Sequence, residues 1–200
     1  MQWNLLIPVL VGMGIALILG ARFIEPLLET NPIELRAIFA GLVLAGIYVP
    51  YKMSTKAVNK KWEIKDYLLA LVAALAAFLL TGLAPGVIND PSSVVIFFSA
   101  AIAICALVLP GISGSFILLT IGMYATTISA VNDLDFQYLI VFALGALVGL
   151  ASFVSLLKWL LKEKPRPTLV ILAGLMLGSL RALWPWQTEN RDLLAPFSLE

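Results

Sequence analysis

The chain has 200 residues, of which 61% are hydrophobic and only 12% charged, and its mean hydropathy is +1.00. Soluble domains hold roughly 45–50% apolar and about 25% charged residues, so this composition is that of an integral membrane protein. With no histidine and a single cysteine, Cys105, at a net charge of +1, a disulfide framework and a Cys/His zinc site are excluded.

A membrane-spanning helix needs about 20 predominantly apolar residues. In chain order the runs that approach this are 5–21, 35–51, 67–83, 93–109, 116–131, 138–161 and 167–183. The first has no basic stretch before it and no small-residue cleavage site after it, so it reads as a retained helix rather than a signal peptide. The expected fold is an all-α membrane bundle of about six to seven segments. One transmembrane domain covers 1–186, and a short extramembrane tail follows at 187–200. Several runs are short, which leaves room for tilted, partial or re-entrant segments.

Charge sets the expected orientation. Lys52, Lys56, Lys60, Lys61 and Lys65 lie in one loop, and Lys158, Lys162, Lys164 and Arg166 in another, together nine of the thirteen basic residues. Basic loops stay in the cytoplasm. The turns around Asp90 and around Asp133 and Asp135 hold no Lys or Arg and are expected outside, which puts the N-terminus inside. Segment 81–93, "TGLAPGVINDPSS", reads as an ordinary external turn. Trp184 and Trp186 fit an interfacial aromatic belt at the end of the last span. Small residues recur four apart in Gly12-Ala16-Gly20, Ala37-Gly41-Ala45, Gly145-Gly149 and Gly174-Gly178, a spacing that lets helix backbones approach closely in lipid. Cys105, inside an apolar run, reads as a small buried apolar residue.

One stretch breaks the pattern. Between two apolar runs stands "LPGISGS", residues 109–115. Pro110 interrupts a helix because it lacks an N–H and clashes with the preceding turn. Gly111 and Gly114 permit tight backbone, and Ser113 and Ser115 are good N-caps for the run that follows. The local reading is a broken helix around 107–124. Two structures satisfy it: a plain turn between two full crossings, or two half-crossings that meet inside the membrane. The second would bury a helix N-terminus, whose free N–H groups and positive dipole end suit phosphate or carboxylate. Non-helical backbone at that depth is tolerated only inside protein or along a polar cavity, as in transporters built on broken helices. Arg22 and Arg181 stand near the ends of apolar runs. They either supply cationic charge to such a site or snorkel to water. No paired carboxylates, nucleophile constellation or metal cluster is visible, so neither catalysis nor a cofactor is expected.

The motif carries a resemblance. "ALVLPGISGSFILLTIGMY" (106–124) resembles the second signature of the PopT-type polyprenyl-phosphate translocases, a bacterial family. "LGALVGLASFVSLLKWLL" (144–161), "LAGLMLGSLRALWPW" (172–186) and "AIFAGLVLAGIYVPYK" (37–52) are similar to further helices of that family. The resemblance implies a multi-pass protein of the bacterial cytoplasmic membrane, built from two inverted repeats. It implies a function too: returning undecaprenyl phosphate, the carrier lipid of cell-wall synthesis, from the outer to the inner leaflet. The implied partners are a polyprenyl phosphate and the bilayer, with no nucleic acid. The implied phosphate site is Pro110, Gly111, Ser113, Gly114 and Ser115, with Arg181 and Arg22 for charge. The family's first motif, of the Pro-Gly-Val-Ser-Gly-Gly-Thr type, is missing here. Its nearest look-alike, Ala84 to Asn89, lacks the Ser-Gly and the apolar run. The resemblance therefore implies a chain short of its first repeat element, which a homodimer could complement. Two other readings stay open: a small-anion or ion-coupled solute transporter, and an inactive membrane scaffold fragment.

Overall fold

The structure is a computed structural model. It describes residues 30–84, 86–109, 113–188 and 192–196, together with 7–9, 11–12, 15–16 and 19–20. The described part of the first run is helical. Eight helices follow: α1 (Pro32–Gly46), α2 (Tyr48–Val58), α3 (Ile64–Leu80), α4 (Ser93–Val108), α5 (Gly114–Ile121), α6 (Tyr124–Asn132), α7 (Phe136–Glu163) and α8 (Pro165–Ser179), the last extended by a 3-10 turn, Leu180–Leu183. The described residues form no strand, apart from one isolated bridge between Gln187 and Leu193.

Helix starts follow local chemistry. Pro32 and Pro165 occupy first-turn positions of α1 and α8, where a missing N–H costs nothing. Glu63 and Asp66 form a reciprocal capping box on α3, in which the Glu63 N–H donates to Asp66 Oδ2 at 2.8 Å. Asp135 caps α7, its Oδ1 accepting from the Tyr138 N–H at 3.1 Å.

Among the described residues, Pro32–Val58, Phe136–Glu163 and Pro165–Leu183 are long and apolar enough to cross a membrane. At 1.5 Å per residue, α3 and α4 reach about 24–26 Å, most of a hydrocarbon core of about 30 Å. The expected run 116–131 is not straight. It divides into α5 and α6, which meet at 107°.

Two parallel helix pairs make the framework. In the first, Gly174 and Gly178 of α8 sit on Ala70 and Ala74 of α3, so closely that a Cβ on either glycine would collide with the facing carbonyl. In the second, Gly145 and Gly149 of α7 sit on Phe97 and Ala101 of α4, and a Cβ on Gly149 would lie 2.6 Å from Ala101 Cα. With lipid on the outside, this close backbone contact replaces the hydrophobic driving force that would join helices in water. The other two small-residue stripes behave differently, since Gly12 and Gly41 both face open space. Cys105 is half-buried rather than buried, with its thiol 3.6 Å from the Gly149 carbonyl.

Both basic loops come to one end of the molecule, joined by Arg166. Its guanidinium grips Asp66 through Nε and Nη2 and also donates to the Lys60 and Lys61 carbonyls at 3.2 and 2.8 Å.

Candidate functional site: a helix break beside an apolar cleft

Helix α4 ends at Val108, and Leu109 turns to extended backbone. Ser113, also extended, is the N-cap of α5. Its hydroxyl does not cap the helix. It pairs instead with the Ser115 hydroxyl at 2.8 Å, so the two serines satisfy each other and Ser113 makes no side-chain cap bond to α5. The N-terminal end of a helix carries the positive end of its dipole, which favours an anionic ligand. Ser113 and Ser115 are exposed. Gly114 is buried, because α5 folds back on α4: a Cβ there would stand 2.7 Å from the Ala103 carbonyl oxygen. Pro110 and Gly111 lie outside the described residues, as does Arg22.

Helix register gives the depth of this break. Gly149 lies on Ala101, so the end of α4 is level with about Leu156 of α7, and α7 runs on for about two turns, roughly 10 Å, to Glu163. Lys158, Lys162 and Lys164 mark that farther end. Helix α5 has eight residues, about 12 Å, too few to cross a membrane. Helix α5 therefore does not cross a membrane by itself, and with α6 it forms one bent pair.

A second break closes the hairpin. Gly122 has φ +90°, a left-handed conformation that favours glycine, and α6 leaves at a steep angle. Segment 86–88 supplies backbone partners here. The Gly86 N–H donates to the Leu119 carbonyl at 3.2 Å, and the Ile88 N–H to the Gly122 carbonyl at 2.9 Å. The Thr126 hydroxyl donates to the Ile88 carbonyl at 2.8 Å. The stretch expected as an ordinary turn is thus a bracket for the bend. Met123, fully buried, plugs the core beneath it with Ile96, Leu118 and Tyr138.

Beside the break is an apolar cleft of about 360 Å³ between α7 and α8, two consecutive helices that belong to different pairs. Leu109 forms one wall, Phe153, Leu157, Ile171 and Leu175 line its length, and Lys164 and Thr168 stand among its lining. A polar helix terminus next to a greasy lateral cleft suits an amphiphile with an anionic head.

The predicted site residues do not all meet. Ser113, Gly114 and Ser115 form one cluster. Arg181 lies elsewhere, at the far end of the α3–α8 pair, where its guanidinium stacks 4.6 Å from the Phe78 ring centre and donates to the Phe78 carbonyl at 3.3 Å. The buried Asp66–Arg166 pair was not identified from sequence, where both residues read as parts of solvated basic loops. Their separation of 100 residues leaves no local signal for the pairing.

Comparison with known proteins gives the family. A sequence model of the VCA0040-like family, described as undecaprenyl phosphate translocase-like, matches residues 1–198. A protein of Vibrio cholerae serotype O1 (strain ATCC 39315 / El Tor Inaba N16961) named "Polyprenyl-phosphate transporter" is 42% identical over 84% of this chain and 52% of its own length. A protein of the same name from Staphylococcus aureus (strain NCTC 8325 / PS 47) is 27% identical over 94% of this chain and 71% of its own. The chain thus spans about half the length of the Vibrio relative. No solved structure matches. With helices α4 and α5 flanking "LPGISGS" and a family match over residues 1–198, the chain belongs to the undecaprenyl phosphate translocase-like family.

Proposed function

We propose that this chain carries the phosphate-handling half of a carrier-lipid transporter. That transporter moves undecaprenyl or a related polyprenyl phosphate from the outer to the inner leaflet of a bacterial cytoplasmic membrane. It is a transporter and not an enzyme, with its N-terminus in the cytoplasm. The observation that carries the reading is the start of α5, where Ser113 and Ser115 stand exposed at the positive end of a helix and Leu109 borders an apolar cleft. An unpaired ion in hydrocarbon costs on the order of tens of kcal/mol by Born solvation, so the headgroup needs a polar path. The isoprenoid tail needs none and can stay in lipid, each CH₂ contributing about 0.8 kcal/mol. In this reading Pro110 sets the break, and Gly111 and Gly114 let the phosphate approach the backbone. The N–H or hydroxyl groups of Ser113 and Ser115 bind it, and Arg22 and Arg181 supply charge along the path. The lateral apolar cleft favours a lipid over a soluble anion.

The test is depletion in a host that relies on this protein, with undecaprenyl phosphate measured at the cell surface. Accumulation in the outer leaflet is expected, and an unchanged surface pool would overturn the assignment.

A further inference from the structure

Arg181 carries more donors than its surroundings use. Its Nη1 donates to the Phe78 carbonyl, and its flat face lies on the Phe78 ring. The Gly82 backbone packs so closely that a Cβ there would collide with the guanidinium. The Nε atom is buried and has no hydrogen-bond partner. Arginine has five N–H donors and a permanent charge. Among the described residues no carboxylate pairs with this one. A single carbonyl bond at the end of α3 needs only a neutral donor. A buried N–H left without a partner is costly, and an anion accepting from Nε would relieve that cost.

What borders the guanidinium identifies the anion. Arg181 opens onto a cavity of about 320 Å³ whose other walls include Leu177, Trp184, Leu193 and Leu194. The residues after the last helix fold back to build it: the Trp184 indole N–H donates to the Leu194 carbonyl at 3.0 Å, and the Leu194 N–H to the Trp186 carbonyl at 2.9 Å. Trp184 and Trp186 meet edge-on with centres 5.7 Å apart. Tryptophans at a span end mark the headgroup level of a bilayer. A cation with apolar walls at that level suits a phosphate that carries a hydrocarbon tail.

We propose that Arg181 and this cavity form a second binding station for a lipid phosphomonoester, at the opposite end of the molecule from the Leu109–Ser115 break. The guanidinium takes the phosphate, and the first isoprenoid units fill the cavity. The identity of the lipid rests on the proposed function. The station itself rests on the buried, unpartnered Nε of Arg181 and the apolar cavity. A carrier lipid would bind here at one membrane face and at the α5 terminus nearer the other.

The experiment measures binding of farnesyl phosphate, farnesol and inorganic phosphate to the purified protein in phosphatidylcholine nanodiscs. Wild type is compared with Arg181→Gln and Arg181→Lys, with thermal unfolding in parallel. Glutamine keeps a donor for the Phe78 carbonyl and removes the charge. Arg181→Gln should weaken farnesyl phosphate binding about tenfold or more, as expected for loss of a charge-assisted pair, and leave farnesol unchanged. Arg181→Lys should retain most of the affinity. If Arg181→Gln does not fold, Leu177→Trp, which fills the cavity beside an intact arginine, should give the same loss. Wild-type affinity in either folded variant would overturn the proposal, as would inorganic phosphate binding as tightly as farnesyl phosphate. Unchanged farnesyl phosphate affinity in Arg181→Gln, with transport and its dependence on Ser113 intact, would remove this station and leave the proposed function standing. Arg181-dependent binding without any lipid transport would do the reverse.

Discussion

Asp66 and Arg166, one hundred residues apart, form a buried forked ion pair: Arg166 Nε lies 3.2 Å from each carboxylate oxygen and Nη2 lies 2.5 Å from Oδ2. Nη1 also donates to the Lys60 carbonyl and Nη2 to the Lys61 carbonyl. The pair joins the start of α8 to the start of α3, at the end where the α3–α8 glycine contacts begin. Removing one partner leaves the other charge without its counter-ion in a largely covered position, which destabilises the fold. Asp66→Ala or Arg166→Ala should lower the thermal midpoint in detergent by many degrees, and a change within error would show the pair to be incidental.

The same pair gives a pH dependence. The hydrogen-bonded Arg166 guanidinium holds the Asp66 carboxyl below the usual carboxylate range, against the opposing effect of burial. A carboxylate with a lowered folded-state value contributes stability that is fully present above its ordinary value. That stability is lost as pH falls through the lowered one. The midpoint of wild type should therefore drop on acidification below the ordinary aspartate range. Asp66→Asn, less stable at neutral pH, should lose less over the same interval. Parallel acid profiles would contradict this.

Glycines at the helix crossings should separate cleanly from those in open space. Gly178→Leu drives a side chain into the Ala74 backbone, and Gly149→Leu into Ala101. Each should cost at least the 1–3 kcal/mol typical of overpacking, about that much or more here because backbone cannot yield. A Cβ at Gly41 meets nothing within 4 Å, so Gly41→Ala should be neutral or stabilising by up to about 1 kcal/mol. Unfolding midpoints of the three variants, side by side, check the assignment of the two helix pairs.

Much of the architecture is legible in the sequence, for identifiable reasons. Long apolar runs marked the helices, because lipid requires each backbone to satisfy itself. The glycine spacings at 145–149 and 174–178 found real crossings. The break at 109–113 was visible because proline, glycine and serine are out of place between apolar runs. The bend at Gly122 was hidden inside "FILLTIGMYATTISAV", a run with no proline or charge to mark a break. Its conformation is fixed by Gly86 and Ile88, more than thirty residues upstream by the numbering. Ser113 has the sequence of a helix cap but not the bond, because the Ser115 hydroxyl competes for it. The basic loops gave an orientation signal and concealed an ion pair, since Asp66 and Arg166 look like any other charges at a membrane edge.

The bracket around the bend has its own test. Gly122→Ala forces a side chain into a left-handed position and toward the Gly86 carbonyl carbon, 2.8 Å from an added Cβ. A cost of about 1–2 kcal/mol is expected from the backbone conformation, with the contact adding to it. Thr126→Val removes one hydrogen bond to Ile88 and should cost about 1 kcal/mol. Equal stability of Gly122→Ala and wild type would show that the bend relaxes at no cost.

The most direct measurement is the surface pool of undecaprenyl phosphate in cells whose only protein of this family is this one, comparing wild type with Ser113→Ala/Ser115→Ala at matched membrane levels. A headgroup site at the start of α5 predicts that the double variant accumulates the lipid in the outer leaflet, toward the level reached on depletion. A surface pool indistinguishable from wild type would contradict it.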